Sequence, residues 1–320
     1  MPAVSAVSLP TECRLCPRRC GANRAEGERG VCGARNRLRI ARAALHEWEE
    51  PVISVGAGSG TVFFSGCPLR CCYCQNAAIS MGFKGVDIPL SRLVEIFLEL
   101  QDREHAANIN LVTPTQYAPW IIEAVAQARQ RGLRVPIVYN TSGYETAEAV
   151  AALAGTVDAY LADFKYAPDT VSDAAHRYSR AANYHDEALA ALDEMVAQVG
   201  EPVFGEHRWT EDGIEMVAPL LTRGVIVRHL VLPGRVDDSR YVVRELWERY
   251  GNRVLYSFMS QYTPVREFPQ LPELNRPTSA EEYEALLDFA DELGLEDYFW
   301  QEGDAALESF IPAWDGTGVR

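Results

Sequence analysis

Three cysteines at 67, 71 and 74 form a C-x3-C-x2-C array directly after a β-like run at residues 61–65. Three thiolates on one tight loop can hold three corners of an iron–sulfur cube and leave the fourth iron without a protein ligand. Such clusters normally take four cysteines. The missing ligand therefore has the meaning of the open position on catalytic zinc: another group binds there. Tyr73, just before the last cysteine, adds a flat surface beside the loop. Zinc, a disulfide and plain burial of small residues are the competing readings. Zinc loops favour paired C-x2-C halves and fill all four positions. The chain starts without a charged-then-apolar leader, so a reducing, cytoplasmic setting is expected and a disulfide is disfavoured. Cys72, adjacent to Cys71, points elsewhere and reads as packing.

A second set precedes this one. Cys13, Cys16 and Cys20 lie at C-x2-C-x3-C spacing, and Cys32 follows after eleven polar, glycine-rich residues. Four thiols in a segment with little local core suggest a site where metal binding supplies the folding energy. Zinc and a second iron–sulfur cluster both fit, and a reactive thiol cluster or disulfide pair is the alternative. We expect a small metal-binding module at residues 1–40, structural or electron-relaying. The segment after it, 41–60, reads as a strand running into a loop. Its glycines at 56, 58 and 60 precede a strand rather than open a helix, the wrong setting for a phosphate cradle. His46 and Glu50 can face the site, although solvated polar residues are the more common case.

From residue 61 onward β-like runs alternate with helical periodicity, the pattern of βα units. Strands are predicted at 61–65, 109–113, 135–140, 157–164, 224–232 and 253–258. Helices are predicted near 145–153, 182–199 and 238–250, with Ser279 and Glu282 as a capping box for a last helix. The fold class is α/β: a partial (β/α)6 TIM-like barrel over 41–320 with a C-terminal extension. Chemistry in such barrels sits at the carboxyl ends of the strands. Those ends carry Thr113 and Thr115, then Asn140, Thr141 and Ser142, then Asp163 and Lys165, Arg228 and His229, and Gln261 and Tyr262. Of 30 basic residues only Lys84 and Lys165 are lysines, so a compact ammonium has been kept at Lys165 where arginine is otherwise used. The formal charge of −15 excludes the basic footprint that nucleic acid requires, and no apolar run is long enough for a membrane span.

The chain resembles the radical S-adenosylmethionine (SAM) superfamily, and within it the pyruvate formate-lyase activating enzyme-related branch with an extra amino-terminal cysteine set. The resemblance rests on Cys13 to Cys20, Glu49-Glu50-Pro51, Gly58-Ser59-Gly60-Thr61, Cys67 to Asn76, Asp163-Phe164-Lys165, Arg228 to Gly234 and Asp315 to Gly318. It implies that Cys67, Cys71 and Cys74 hold a [4Fe-4S] cluster whose open iron is chelated by SAM. It also implies that Lys165 contacts the SAM carboxylate. Tyr73, Asn76, Asn140, Thr141, Ser142, Asp163 and Gln261 would border the cofactor. A Gly-Gly-Glu-like segment that commonly receives the SAM amino group is replaced here by Thr113-Pro114-Thr115, whose hydroxyls or carbonyls would take its place.

The implied activity is reductive cleavage of SAM to a 5′-deoxyadenosyl radical that abstracts hydrogen, with the electron from a donor such as flavodoxin or ferredoxin. Arg228 and His229 are candidates on the substrate side. The target is a glycine on a glycyl radical enzyme, or else a small molecule or peptide. A reading from another class is a non-catalytic electron carrier or metal-stabilised scaffold.

Overall fold

The computed structural model describes residues 7–301 and 312–320. The start of the expected cysteine module and part of the C-terminal extension lie outside the described residues. Residues 7–37 contain only turns and bends. The regular elements then run β1 (Leu38–His46), β2 (Ser59–Phe64), α1 (Ala77–Ser80), β3 (Val86–Ile88), α2 (Leu90–Asp102) and β4 (Ile109–Val112). They continue with α3 (Ala118–Gln130), β5 (Ile137–Thr141), α4 (Ala147–Ala151), β6 (Ala159–Asp163), α5 (Ala174–Ser179) and α6 (Tyr184–Val199). The chain closes with β7 (Val203–Glu211), β8 (Ile214–Leu230), α7 (Val236–Tyr250), β9 (Leu255–Met259), α8 (Ala280–Glu292) and β10 (Tyr298–Phe299).

The main sheet runs β10-β9-β8-β6-β5-β4-β2-β1-β3. Its central strands, from β2 to β9, are parallel. This is an α/β fold with a parallel-stranded partial barrel, and the six strands expected from the periodicity are its six central ones. Strand β4 is buried at every position, as a parallel strand covered on both faces must be. Helix α8 starts on the Ser279–Glu282 capping box.

Two features depart from the sequence reading. The segment at 203–223 is a long antiparallel ribbon, β7 against the first part of β8, with Phe204, Ile214, Met216 and Val217 exposed. Its mixture of charged and apolar residues shows little period-2 signal. The second departure is the loop after β1, which turns inward and plugs the barrel floor. Val52 and Ile53 pack among Val138, Ala159, Leu161, Leu221 and Ile226. Asn108 donates its side-chain amide to the Ile53 carbonyl at 2.7 Å, and the Leu221 N–H donates to Val52 at 2.9 Å. The residues just before the plug, Glu49 and Glu50, are thereby carried into the interior.

Candidate functional site

Strand alternation decides which side chains meet inside the barrel. Successive residues point to opposite faces, so Asn140, Asp163 and Arg228 stand above the floor residues Val138, Leu161 and Ile226 and line a cavity of about 440 Å³. Cys67, Cys71 and Cys74 line the same cavity, together with Tyr73, Asn76, Thr113, Thr141, Ser142, Lys165, Gln261 and Tyr262. The open flank adds His46, Phe63, Phe299 and the exposed Trp48 and Trp300.

The cysteine loop leaves β2 through Gly66, at φ +90. A Cβ there would lie 2.5 Å from the Cys32 carbonyl, so only glycine fits. The side-chain amide of Gln116 donates to the carbonyls of Ser65, Gly66 and Thr113 at 3.2, 3.0 and 2.8 Å. Thr113 itself is held at φ +58, a conformation β-branched residues rarely adopt. Cys67 is pushed up first by burial, then by the nearby Cys71 and Cys74, and Cys74 is raised by burial and then by Cys71. The charge of Lys165 reaches Cys71 and Cys74. Around them, Ser80 Oγ lies 3.3 Å from Cys74 Sγ, and Tyr166 donates to Cys71 Sγ at 3.8 Å while bonding Tyr73 and Ser179 at 2.8 and 2.7 Å. Cys72 lies off the cavity, its N–H donating to the Tyr178 carbonyl at 2.7 Å.

Among the described residues no group of three cysteine, histidine or carboxylate side chains is gathered to hold a single metal ion. A cluster spreads its cysteines over several irons instead. The donor set fits that use: three partly or fully buried thiols face one cavity beside an ammonium, with a hydroxyl beside the Cys71 sulfur and another beside that of Cys74.

Below the thiols lies a buried charge network. Asp163 pairs with Lys165 at 2.7 Å and with Arg228 Nε at 2.9 Å. Arg228 also reaches Glu49 at 3.2 Å, Asn140 Oδ1 at 2.7 Å and Glu50 at 3.9 Å. Burial would raise the Asp163 pKa, but the two cations outweigh it and hold it low. Glu50, farther from Arg228, is pushed up to about 7, mainly by burial. Sequence reading expected Glu50 in solvent; the inward floor loop, with no signal in the local pattern, puts it in the core.

Two expected site residues lie elsewhere. His229 is one position out of phase with Arg228 and faces α7. Its ring nitrogens meet the Phe164 carbonyl at 2.7 Å and Ser239 Oγ at 2.8 Å, and burial lowers its pKa to about 4. Thr115 opens a helical turn behind the cavity and donates to buried Glu145 at 2.5 Å, as Thr141 does at 2.6 Å.

The amino-terminal cysteines do not line the cavity, yet their segment is strapped to the loop that does. Arg18 donates to the carbonyls of Pro68 and Leu69, each at 3.0 Å, and to those of Ser179 and Arg180 at 2.7 and 2.5 Å. Cys13, Cys16 and Cys32 are buried and Cys20 is exposed.

Comparison with known proteins places this geometry. The radical SAM superfamily model matches residues 61–246, more than half of the chain. Two uncharacterised proteins of Methanocaldococcus jannaschii are similar along most of their length. One is 27% identical over 296 residues, covering 89% of this chain and 75% of the relative. The other is 24% identical over 309 residues, covering 88% and 78%. A radical SAM methyltransferase from Sphaerobacter thermophilus shares the fold at 16% identity and a TM-score of 0.50, over 77% of this chain and 67% of that one.

Proposed function

The chain belongs to the radical SAM superfamily, and on that premise we propose that it cleaves SAM reductively at the Cys67–Cys71–Cys74 loop and directs hydrogen abstraction at a substrate held in the cavity beneath. The observation that carries this reading is the convergence of those three thiols and Lys165 on one cavity. The superfamily implies an enzyme with a [4Fe-4S] cluster and SAM. When bound, these supply one electron and, from it, a hydrogen-abstracting carbon radical.

The residues divide the remaining work. Cys67, Cys71 and Cys74 would hold the cluster. Lys165, fixed by Asp163, offers its ammonium to the SAM carboxylate. Thr113, whose carbonyl is fixed by Gln116, presents backbone and hydroxyl groups where a Gly-Gly-Glu-like segment is absent. Asn76, Asn140, Thr141, Ser142, Tyr73 and Gln261 border the same space and orient the nucleoside. The floor loop closes the barrel from below and restricts water around the reacting atoms on that side. The electron comes from a donor of the flavodoxin or ferredoxin type. Cys13, Cys16, Cys20 and Cys32 form a separate thiolate centre away from the reaction.

For the target, a glycine on a partner protein is supported by the open flank, where Trp48 and Trp300 stand exposed beside the cavity. The buried polar floor of Glu49, Glu50, Arg228 and Asn140 favours a second reading, a small polar molecule or peptide end taken wholly into the barrel. Glycyl-radical EPR on a candidate partner, after anaerobic incubation with SAM and reductant, tests the first. Its absence, with SAM consumed only when a small substrate is added, supports the second.

A further inference from the structure

The amino-terminal thiols come together in space. A Cβ placed on Gly30 would meet Cys32 Sγ at 3.4 Å and Cys20 Sγ at 3.6 Å. Chain reversals make this possible: Cys13 exchanges backbone hydrogen bonds with Gly21 and Ala22, and the Arg19 N–H returns to the Cys16 carbonyl.

An independent observation lies beside them. Arg24 is wholly buried. It donates from Nε to the Arg35 carbonyl at 2.8 Å and from one terminal nitrogen to the Gln116 carbonyl at 3.0 Å. It has no carboxylate partner among the described residues, and its other terminal nitrogen is buried without an acceptor. The Tyr117 hydroxyl is buried without a partner too. Both belong to the thiol segment's surroundings: the N–H groups of Arg24 and Cys13 share the Ala22 carbonyl, and Tyr117 packs in the same core cluster as Cys32. A buried cation with no anion is among the costliest arrangements a core can contain. Cys32, in the core cluster that holds Tyr117, is a thiol that can become such an anion.

We propose that Cys13, Cys16, Cys20 and Cys32 bind one thiophilic divalent ion, zinc, as a closed tetrathiolate centre, with Arg24 as its buried counter-ion. This deepens the reading of a separate thiolate centre and does not depend on SAM chemistry. Four thiolates around a divalent ion keep a net negative charge, which gives Arg24 its missing anion and Tyr117 an acceptor. All four positions are filled by protein and none of these sulfurs lines the cavity, so the centre is structural. The thiols are not yet closed on a point; the ion draws them in, and its binding energy folds a segment that has no helix or strand between residues 7 and 37.

The test is a zinc, iron and sulfide count on anaerobically purified full-length protein. About one zinc per chain is expected beside the cluster iron, and it should be lost in Cys16→Ser and Cys32→Ser. In Arg24→Met, which keeps every thiol, zinc should pass to a competing chelator with affinity weakened about tenfold or more. Arg24→Lys, which keeps the charge, should recover part of that loss and controls for misfolding. Protein without zinc, zinc retained in both cysteine variants, or extra iron removed by them would overturn the assignment. Unchanged zinc affinity in Arg24→Met would remove the counter-ion role. A zinc-filled protein that never cleaves SAM would sink the proposed function and leave this centre standing.

Discussion

The backbone N–H of Cys67 donates to the carbonyl of Cys32 across 3.3 Å, so the first residue of the cavity thiol set hangs from the last residue of the amino-terminal set. Arg70 tightens the same junction by donating to the Val31 carbonyl at 2.8 Å. The conformation of the cluster loop is thus fixed from outside the barrel as well as by β2.

Arg18 is the side chain through which this coupling is most directly tested. Its guanidinium spans four carbonyls on two segments, including two of the three residues inside the C-x3-C turn. A lysine carries the charge but cannot span that set. Arg18→Lys is expected to cost on the order of 2 kcal/mol in urea unfolding. Iron release to a chelator should also quicken, although Cys67, Cys71 and Cys74 are intact. Wild-type iron retention in this variant would show that the loop holds its shape without the clamp.

Adjacent cysteines should behave oppositely. Cys71→Ala is expected to abolish cluster assembly, whereas Cys72→Ala, altered on the side away from the cavity, should assemble a normal iron and sulfide content. Cluster loss in Cys72→Ala would mean the ligand set is misassigned.

His229 gives a pH signature. Its folded pKa, about 4, lies below the unfolded value of about 6.5. The unfolded chain therefore binds the proton more readily between these values. The stabilisation is complete above about pH 6.5 and is lost as pH falls toward 4, on the order of 3 kcal/mol in all. Urea unfolding at pH 7.5 and 5.5 should show wild type losing more stability on acidification than His229→Gln, because Glu50, raised to about 7, shifts both proteins alike, and SAM cleavage should persist in the variant. Loss of cleavage in a folded His229→Gln protein would restore a catalytic part to this residue.

The order of βα units was legible because parallel strands covered on both faces are short apolar runs, and 109–113 and 157–164 are of that kind. The thiol loop was legible from spacing alone. What escaped was tertiary. Arg228 and His229 are neighbours in a strand whose inward phase is set by its partners, so the pair could be named but not divided. Thr115 looked like a strand end and is instead the start of a helical turn. Glu49 and Glu50 look like surface acids; only the floor loop, held by Asn108 and Leu221, takes them inside.

Lys165 sits between the thiols and the charge network, and in the proposed function its ammonium meets the SAM carboxylate. Lys165→Met is expected to retain iron and sulfide while weakening SAM affinity about tenfold or more, the loss of a charge-assisted contact in a desolvated site. Equilibrium binding followed by the change in the EPR spectrum of the reduced cluster would read it. Unchanged affinity would argue against the contact.

The central claim is decided by anaerobic incubation of the reconstituted protein with SAM and a strong reductant, followed by quantification of 5′-deoxyadenosine and methionine. Wild-type protein should form both, and Cys67→Ala, Cys71→Ala and Cys74→Ala should form neither. Protein that carries its full iron and sulfide and still leaves SAM intact would contradict the account.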